Sequence, residues 1–136
     1  MAWIAVRTDA DIQLLNKTYG NFEDAVIVHM EYVSGDYADE NLCGYMKQKN
    51  DLKVTFQRLD NNPFSIELWF IHTKTLHFAF DNPADNCMSD ILYAKVCRND
   101  SSIFWTVWKD FNPCDKAHLS GTTLIESEEL KWRMIK

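Results

Sequence analysis

"GNFEDAVIVHMEYVSGDY", residues 20–37, is the stretch on which the fold turns. Gly20 leads into an acid pair, Glu23-Asp24, and residues 25–33 then alternate until a second turn, Ser34-Gly35-Asp36. Val26, Val28, Met30 and Tyr32 share one face of this run, and Ala25, Ile27, His29, Glu31 and Val33 share the other. That is the period of two a strand requires. Upstream the period is different. Ile12, Leu15 and Tyr19 fall at helical spacing, Thr8 and Asp11 stand in a capping-box arrangement, and Gly20 can stop the element. Residues 8–20 therefore read as one helix. Trp3 and Ile4, ahead of it, read as a short strand or a packing anchor.

Downstream the alternation continues. In residues 51–59, Leu52, Val54 and Phe56 point inward, against Lys53, Thr55 and Gln57 outward. The runs "FSIELWFIH" (64–72), "KTLHFAF" (74–80), "ILYAKVCR" (91–98), "SIFWTVWK" (102–109) and "TLIESEELKWRMI" (123–135) follow. Asp60-Asn61-Asn62-Pro63 and Asn99-Asp100-Ser101 are turn chemistry short enough for antiparallel hairpins, and His72-Thr73-Lys74 reads as another tight connection. The fold expected is mainly β, with α+β the alternative. It is an antiparallel β-sandwich, or one strongly curved sheet, of about seven strands with an N-terminal helix over an open face or end. "IELWFI" is apolar on both faces, as a central strand covered twice would be, the helix supplying one cover. Residues 36–50 and 110–121 are polar and irregular. In the second, Asn112-Pro113 can start a helical turn that Gly121 ends.

A chain of 136 residues, 46% hydrophobic and 13% aromatic, can bury a real core, so a single domain over 1–136 is expected. Fourteen basic residues against twenty acidic give a net charge of −6, with no basic run or stripe. This argues against nucleic acid and anionic membrane as partners and leaves a basic protein partner open. Arg7, Asp9 and Asp11 interrupt the apolar start, and no stretch approaches the roughly 18 apolar residues of a membrane span. A cytoplasmic location is the expectation. Cys43, Cys87, Cys97 and Cys114 are widely spaced, without C-x-x-C, and read as free thiols.

Chemistry is sparse. Glu23 and Asp24, adjacent along the chain, cannot converge on one atom in a regular strand, and Asp24 suits a turn whose backbone N–H groups its carboxylate accepts. His29 and Glu31 share a face and could tune a general base, but no nucleophile can be placed beside them. His72, His77 and His118 form no metal-binding spacing with His29. Asp81, Asp85 and Asp90 lack the spacing of a calcium loop, so neither metal nor cofactor is expected. Trp105 and Trp108, an odd number of residues apart, point to opposite strand faces, which leaves one of them for the surface. With Tyr37 and Tyr45, an exposed Trp108 would make a binding hot spot.

The segments "GNFEDAVI", "EYVSGDY", "SIELWF" and "LKWR", in that order from Gly20 to Arg133, resemble a pattern shared by small uncharacterised bacterial proteins. That pattern is a G-x-F-x-D-A/S opening, a strand ending Y-V-S-G, a central I-E-L/M-x-F strand and a terminal L-x-W-R. Similar openings occur in immunity protein 50-like families of bacterial toxin systems. Many members carry His where this chain has Glu23, which favours Gly20, Asp24 and Gly35 as structural turn residues over an active site. The resemblance implies a non-enzymatic interaction protein that binds and neutralises a cognate toxin. Its contact surface would be the loop around Asp36, Tyr37, Asp39 and Glu40, or an exposed aromatic such as Trp108. The alternative is a small-ligand or carbohydrate-binding β-sandwich that stacks its ligand on exposed Trp69 or Trp108. An enzyme built on Glu23, Asp24, His29 and Glu31 would need two of these groups to meet in a cleft.

Overall fold

A computed structural model describes residues 2–60, 62–79, 91–114 and 123–135. The chain runs β1 (Ile4–Val6), α1 (Asp9–Thr18), a 3-10 turn (Gly20–Phe22), β2 (Val26–Val33), β3 (Tyr37–Ala38), β4 (Gly44–Tyr45), β5 (Asp51–Gln57), β6 (Ser65–His77), β7 (Lys95–Arg98), β8 (Ile103–Thr106) and β9 (Leu124–Ile135). Seven strands form one antiparallel sheet in the order β2-β5-β6-β9-β8-β7, with β1 beside β9, and β3 and β4 pair separately. The fold is mainly β with one N-terminal helix, and its sheet does not close into a barrel.

The helix forms where its local signals stand. The Thr8 hydroxyl accepts the Asp11 N–H at 3.2 Å, and the Asp11 carboxylate accepts the Thr8 and Arg7 N–H groups at 3.0 and 2.9 Å. This reciprocal cap satisfies N–H groups that the first helical turn leaves without partners. Ile12, Leu15 and Tyr19 are buried toward the sheet. Gly20 follows at φ 54, the left-handed conformation in which a chain leaves a helix at least steric expense.

β6 and β9 make a long ribbon that carries the other strands. At one end β5 pairs with β6 at Ser65–Phe70 and β2 pairs with β5, while β1 pairs with β9 at Leu130–Trp132. At the other end β8 pairs with β9 at Leu124–Ser127, and β7 completes the edge. Between these ends the ladder shifts: Thr73 faces Ser127 and Thr75 faces Glu126, so Lys74 is an extra residue, beside His72 at φ 55. Such bulges bend a sheet. The bend is large. Phe56 and Trp105 are separated by nine residues along β9 and three strand spacings, which would place them about 33 Å apart in a flat sheet. Their ring centroids lie 5.4 Å apart. The sheet therefore coils until its two ends share one core, in which Phe22 touches both Phe56 (5.0 Å) and Trp105 (5.7 Å).

Two expectations change. The runs 64–72 and 74–80 are not a hairpin: His72-Thr73-Lys74 sits within the single strand β6, because a bulge absorbs those residues without reversing the chain. The seventh strand is β1 instead. In β2, Ile27 faces Phe56 and His29 faces Thr55, leaving Val28 as a bulge. That one extra residue moves Ile27 to the face of Met30 and Tyr32, and Val26 to that of His29 and Glu31. β6 is covered on both faces, as its sequence requires, with the helix on one of them. Trp69 is covered by Trp3 at 5.3 Å and by the Lys53 and Lys131 ammonium groups at 5.1 and 5.3 Å, while the helix packs on the opposite, inner face. The hairpins at Asp60 and Asn99 form, the second organised by the Asn99 side chain accepting the Ser101 and Ser102 N–H groups at 2.9 and 2.8 Å. His118, the acids Asp81, Asp85 and Asp90, Cys87 and Gly121 lie outside the described residues.

Candidate surface: the β3–β4 arm

Residues 34–50 leave the sheet as an arm between β2 and β5. Gly35, at φ +80, starts it; a Cβ there would lie 3.1 Å from Lys49 Cγ and 3.3 Å from Lys47 Cβ. The Ser34 carbonyl then accepts the N–H groups of Lys49 (2.8 Å) and Asn50 (3.2 Å), which closes the base. Asp36 and Asp39 hold the rest. Asp36 accepts the Gln48 N–H at 2.7 Å. Asp39 accepts the N–H groups of Asn41 and Cys43 through one oxygen, at 2.9 and 3.0 Å, and the Tyr45 hydroxyl through the other, at 3.1 Å. The Cys43 N–H above all, then the Tyr45 hydroxyl and the Asn41 N–H, hold the Asp39 carboxyl below its ordinary value.

This scaffold presents apolar surface. Tyr37 and Tyr45 stack face to face, centroids 4.6 Å apart and 14° from parallel, while remaining 54% and 39% exposed. Leu42 at the tip is 90% exposed and Met46 is 72% exposed. The outgoing limb bears Asp36, Asp39 and Glu40 and the returning limb Lys47 and Lys49, so the arm divides its charge. Of the acids expected to meet a partner, two are spent on the arm's own geometry and Glu40 is exposed.

The other candidates lie elsewhere. Trp105 is fully buried; Trp108 falls past the end of β8 and packs half-buried on Phe111 at 6.1 Å, within the second core of Phe104, Phe111 and Leu124. Trp69 is half-buried beneath its cations, so neither indole proposed as a stacking platform is open. Glu23 and Asp24 are exposed in the turn before β2. Asp24 stands at φ 62 and acts through its backbone, its N–H donating to the Ile91 carbonyl at 2.8 Å. His29 Nε2 and Glu31 Oε2 approach to 4.0 Å, but on an exposed sheet face. Among the described residues no three His, Cys, Asp or Glu side chains group as metal ligands, and no helix is long and apolar enough to cross a membrane. Cys43, Cys97 and Cys114 are free thiols, and burial pushes that of Cys97 up to about 11.

Two arrangements were not legible in the sequence. A cleft of about 220 Å³ opens along the edge of β9, in the notch between β1 and β8, lined among others by Arg7, Ser101, Ser102, Glu128 and Glu129. None of Glu23, Asp24, His29 or Glu31 lines it. Beside it lies a buried polar knot: Glu126 accepts the Ser102 hydroxyl at 2.7 Å and the Thr75 hydroxyl at 3.1 Å, and the Lys74 ammonium donates to Ser102 Oγ at 2.9 Å. The Lys74 bulge aims that ammonium, and the knot ties β6, β8 and β9 together where the sheet bends. Burying a carboxylate is costly unless its oxygens are bonded, and here they are. No protein family, curated protein or solved structure matches the chain.

Proposed function

We propose that this protein is a non-enzymatic interaction protein of the immunity type, which neutralises a toxin by binding it through the β3–β4 arm. The observation that carries the reading is the exposed Tyr37–Tyr45 stack on an arm already fixed by Asp36 and Asp39. Exposed apolar side chains gathered on a polar-rimmed projection mark interaction surfaces. Tyrosines concentrate binding energy, since they bring much area with few rotatable bonds. Here the ordering happens at folding, so association need not supply it again. The net charge of −6 suits a basic partner, which long-range attraction would steer toward the molecule.

The test is co-purification of the tagged protein with the product of the gene immediately upstream, which the proposal expects to be a toxin, together with rescue of cells expressing that product. Stable one-to-one capture that Tyr37→Ala and Tyr45→Ala weaken without unfolding supports the proposal. No capture and no rescue, from correctly folded protein, removes it.

A further inference from the structure

Two edge strands of the main sheet, β7 and β2, differ. At β7 the Asn16 carboxamide of α1 accepts the Val96 N–H at 3.0 Å and donates to the Val96 carbonyl at 3.1 Å, so a side chain stands where another strand would pair. Among the described residues β2 has no such cover along Val28–Val33. Ile91 occupies the Asp24 N–H and the Ala25 carbonyl, at 2.8 Å each, and beyond that point β5 is the one strand paired with β2 among the described residues. Exposed edge strands are usually blunted by lysine or proline. β2 contains neither, and its Val28, Tyr32 and Val33 are exposed.

We propose that β2 pairs antiparallel with β2 of a second copy of this chain, across a twofold axis at Met30. A twofold axis between antiparallel strands sets one residue opposite itself and its neighbours opposite each other's counterparts. An axis at His29 would oppose two imidazoles, and one at Glu31 two carboxylates. At Met30, His29 faces Glu31 of the partner subunit, this pair occurs twice, and Val28 faces Tyr32 of the partner subunit. Both polar groups lie on the exposed outer face. Lys53, opposite Glu31 on β5, turns its ammonium over the Trp69 and Trp3 rings at 5.1 and 5.8 Å. The imidazole of His29 lies 4.0 Å from Glu31 on the same exposed face, where an N–H can donate to the partner's carboxylate. The Val28 bulge ends the regular register, so pairing covers residues 28–32. This interface uses a surface other than the arm and stands whether or not the arm binds a toxin.

Sedimentation equilibrium of the full chain tests it, on wild type, His29→Glu and the exchange His29→Glu/Glu31→His. The wild type should self-associate reversibly. His29→Glu, which opposes like charges at both symmetric pairs, should weaken association about tenfold or more. The exchange, which restores both pairs, should recover it. Amides of residues 28–32 should also gain protection from hydrogen exchange with rising wild-type concentration, while those of β7 do not. A wild type that stays monomeric overturns the proposal. So does a dimer indifferent to His29→Glu, or one without concentration-dependent protection in β2.

Discussion

Trp105→Ala probes the bend of the sheet, and its magnitude can be worked from the packing. The ring is fully buried and lies edge-on to Phe22 (5.7 Å, 85°) and tilted against Phe56 (5.4 Å, 47°), so it joins β8 to β5 across the coil. Truncating a buried tryptophan costs roughly 3–5 kcal/mol, and two lost aromatic pairs place this site at the upper end, near 5. A domain of 136 residues has a total stability of about 7–20 kcal/mol, so the loss is a large fraction of it. Trp105→Phe behaves differently. It keeps an aromatic ring between Phe22 and Phe56 and removes an indole N–H that is buried without a partner, relieving roughly 1–3 kcal/mol. The net expected loss is about 1–2 kcal/mol. Urea unfolding followed by far-UV circular dichroism measures both, with an unchanged denaturant slope as the control for two-state behaviour. A loss of about 1 kcal/mol or less for Trp105→Ala would refute the reasoning, because β8 would then not rest on β5.

The remaining predictions concern the knot, the arm, the thiols and the covered edge. Glu126→Leu leaves the Ser102 and Thr75 hydroxyls without their shared acceptor, and should cost roughly 3 kcal/mol in the same urea assay. Asp39, whose folded pKa is held below its unfolded value of about 3.9, contributes fully above that value and loses its contribution as pH falls through the folded one. The Tyr37–Tyr45 near-UV signal should therefore fade below about pH 4, and Asp39→Asn should abolish that acid transition. Alkylation mapped by mass spectrometry should modify Cys43 and Cys114 quickly at neutral pH and Cys97 slowly, since the Cys97 thiol is half-buried and titrates near 11. Asn16→Ala removes both bonds to Val96 and should cost about 1–2 kcal/mol, with new concentration-dependent association through β7 visible by light scattering.

What the sequence made legible is what short-range physics decides. The Thr8–Asp11 cap and the period of Ile12, Leu15 and Tyr19 place the helix, because a cap and a helical face involve residues within one or two turns. Leu52, Val54 and Phe56 alternate with half-buried neighbours as their pattern requires. The bulges at Val28 and Lys74 left no local trace: Val-Ile-Val-His reads as regular strand, and His-Thr-Lys reads as a turn. The first decides which faces Val26 and Ile27 present and the second whether β6 continues, and neither is set by residues close along the chain. The site divides the same way. Tyr37 and Tyr45 stood out as aromatics in a polar stretch, but their stacking depends on pairing across a hairpin that composition cannot show. Glu126 lies in an acid-rich run whose other members are exposed, and only contact with strands far along the chain makes it a buried anchor.

The central claim is that the arm is a preformed binding surface. Isothermal titration of the product of the gene immediately upstream, the proposed partner, into wild type and into Tyr37→Ala/Tyr45→Ala tests it most directly. Tight one-to-one binding by the wild type, weakened about a hundredfold or more in a double variant whose unfolding curve is unchanged, is the result expected of two stacked hot-spot residues. Equal affinity for both proteins would contradict it.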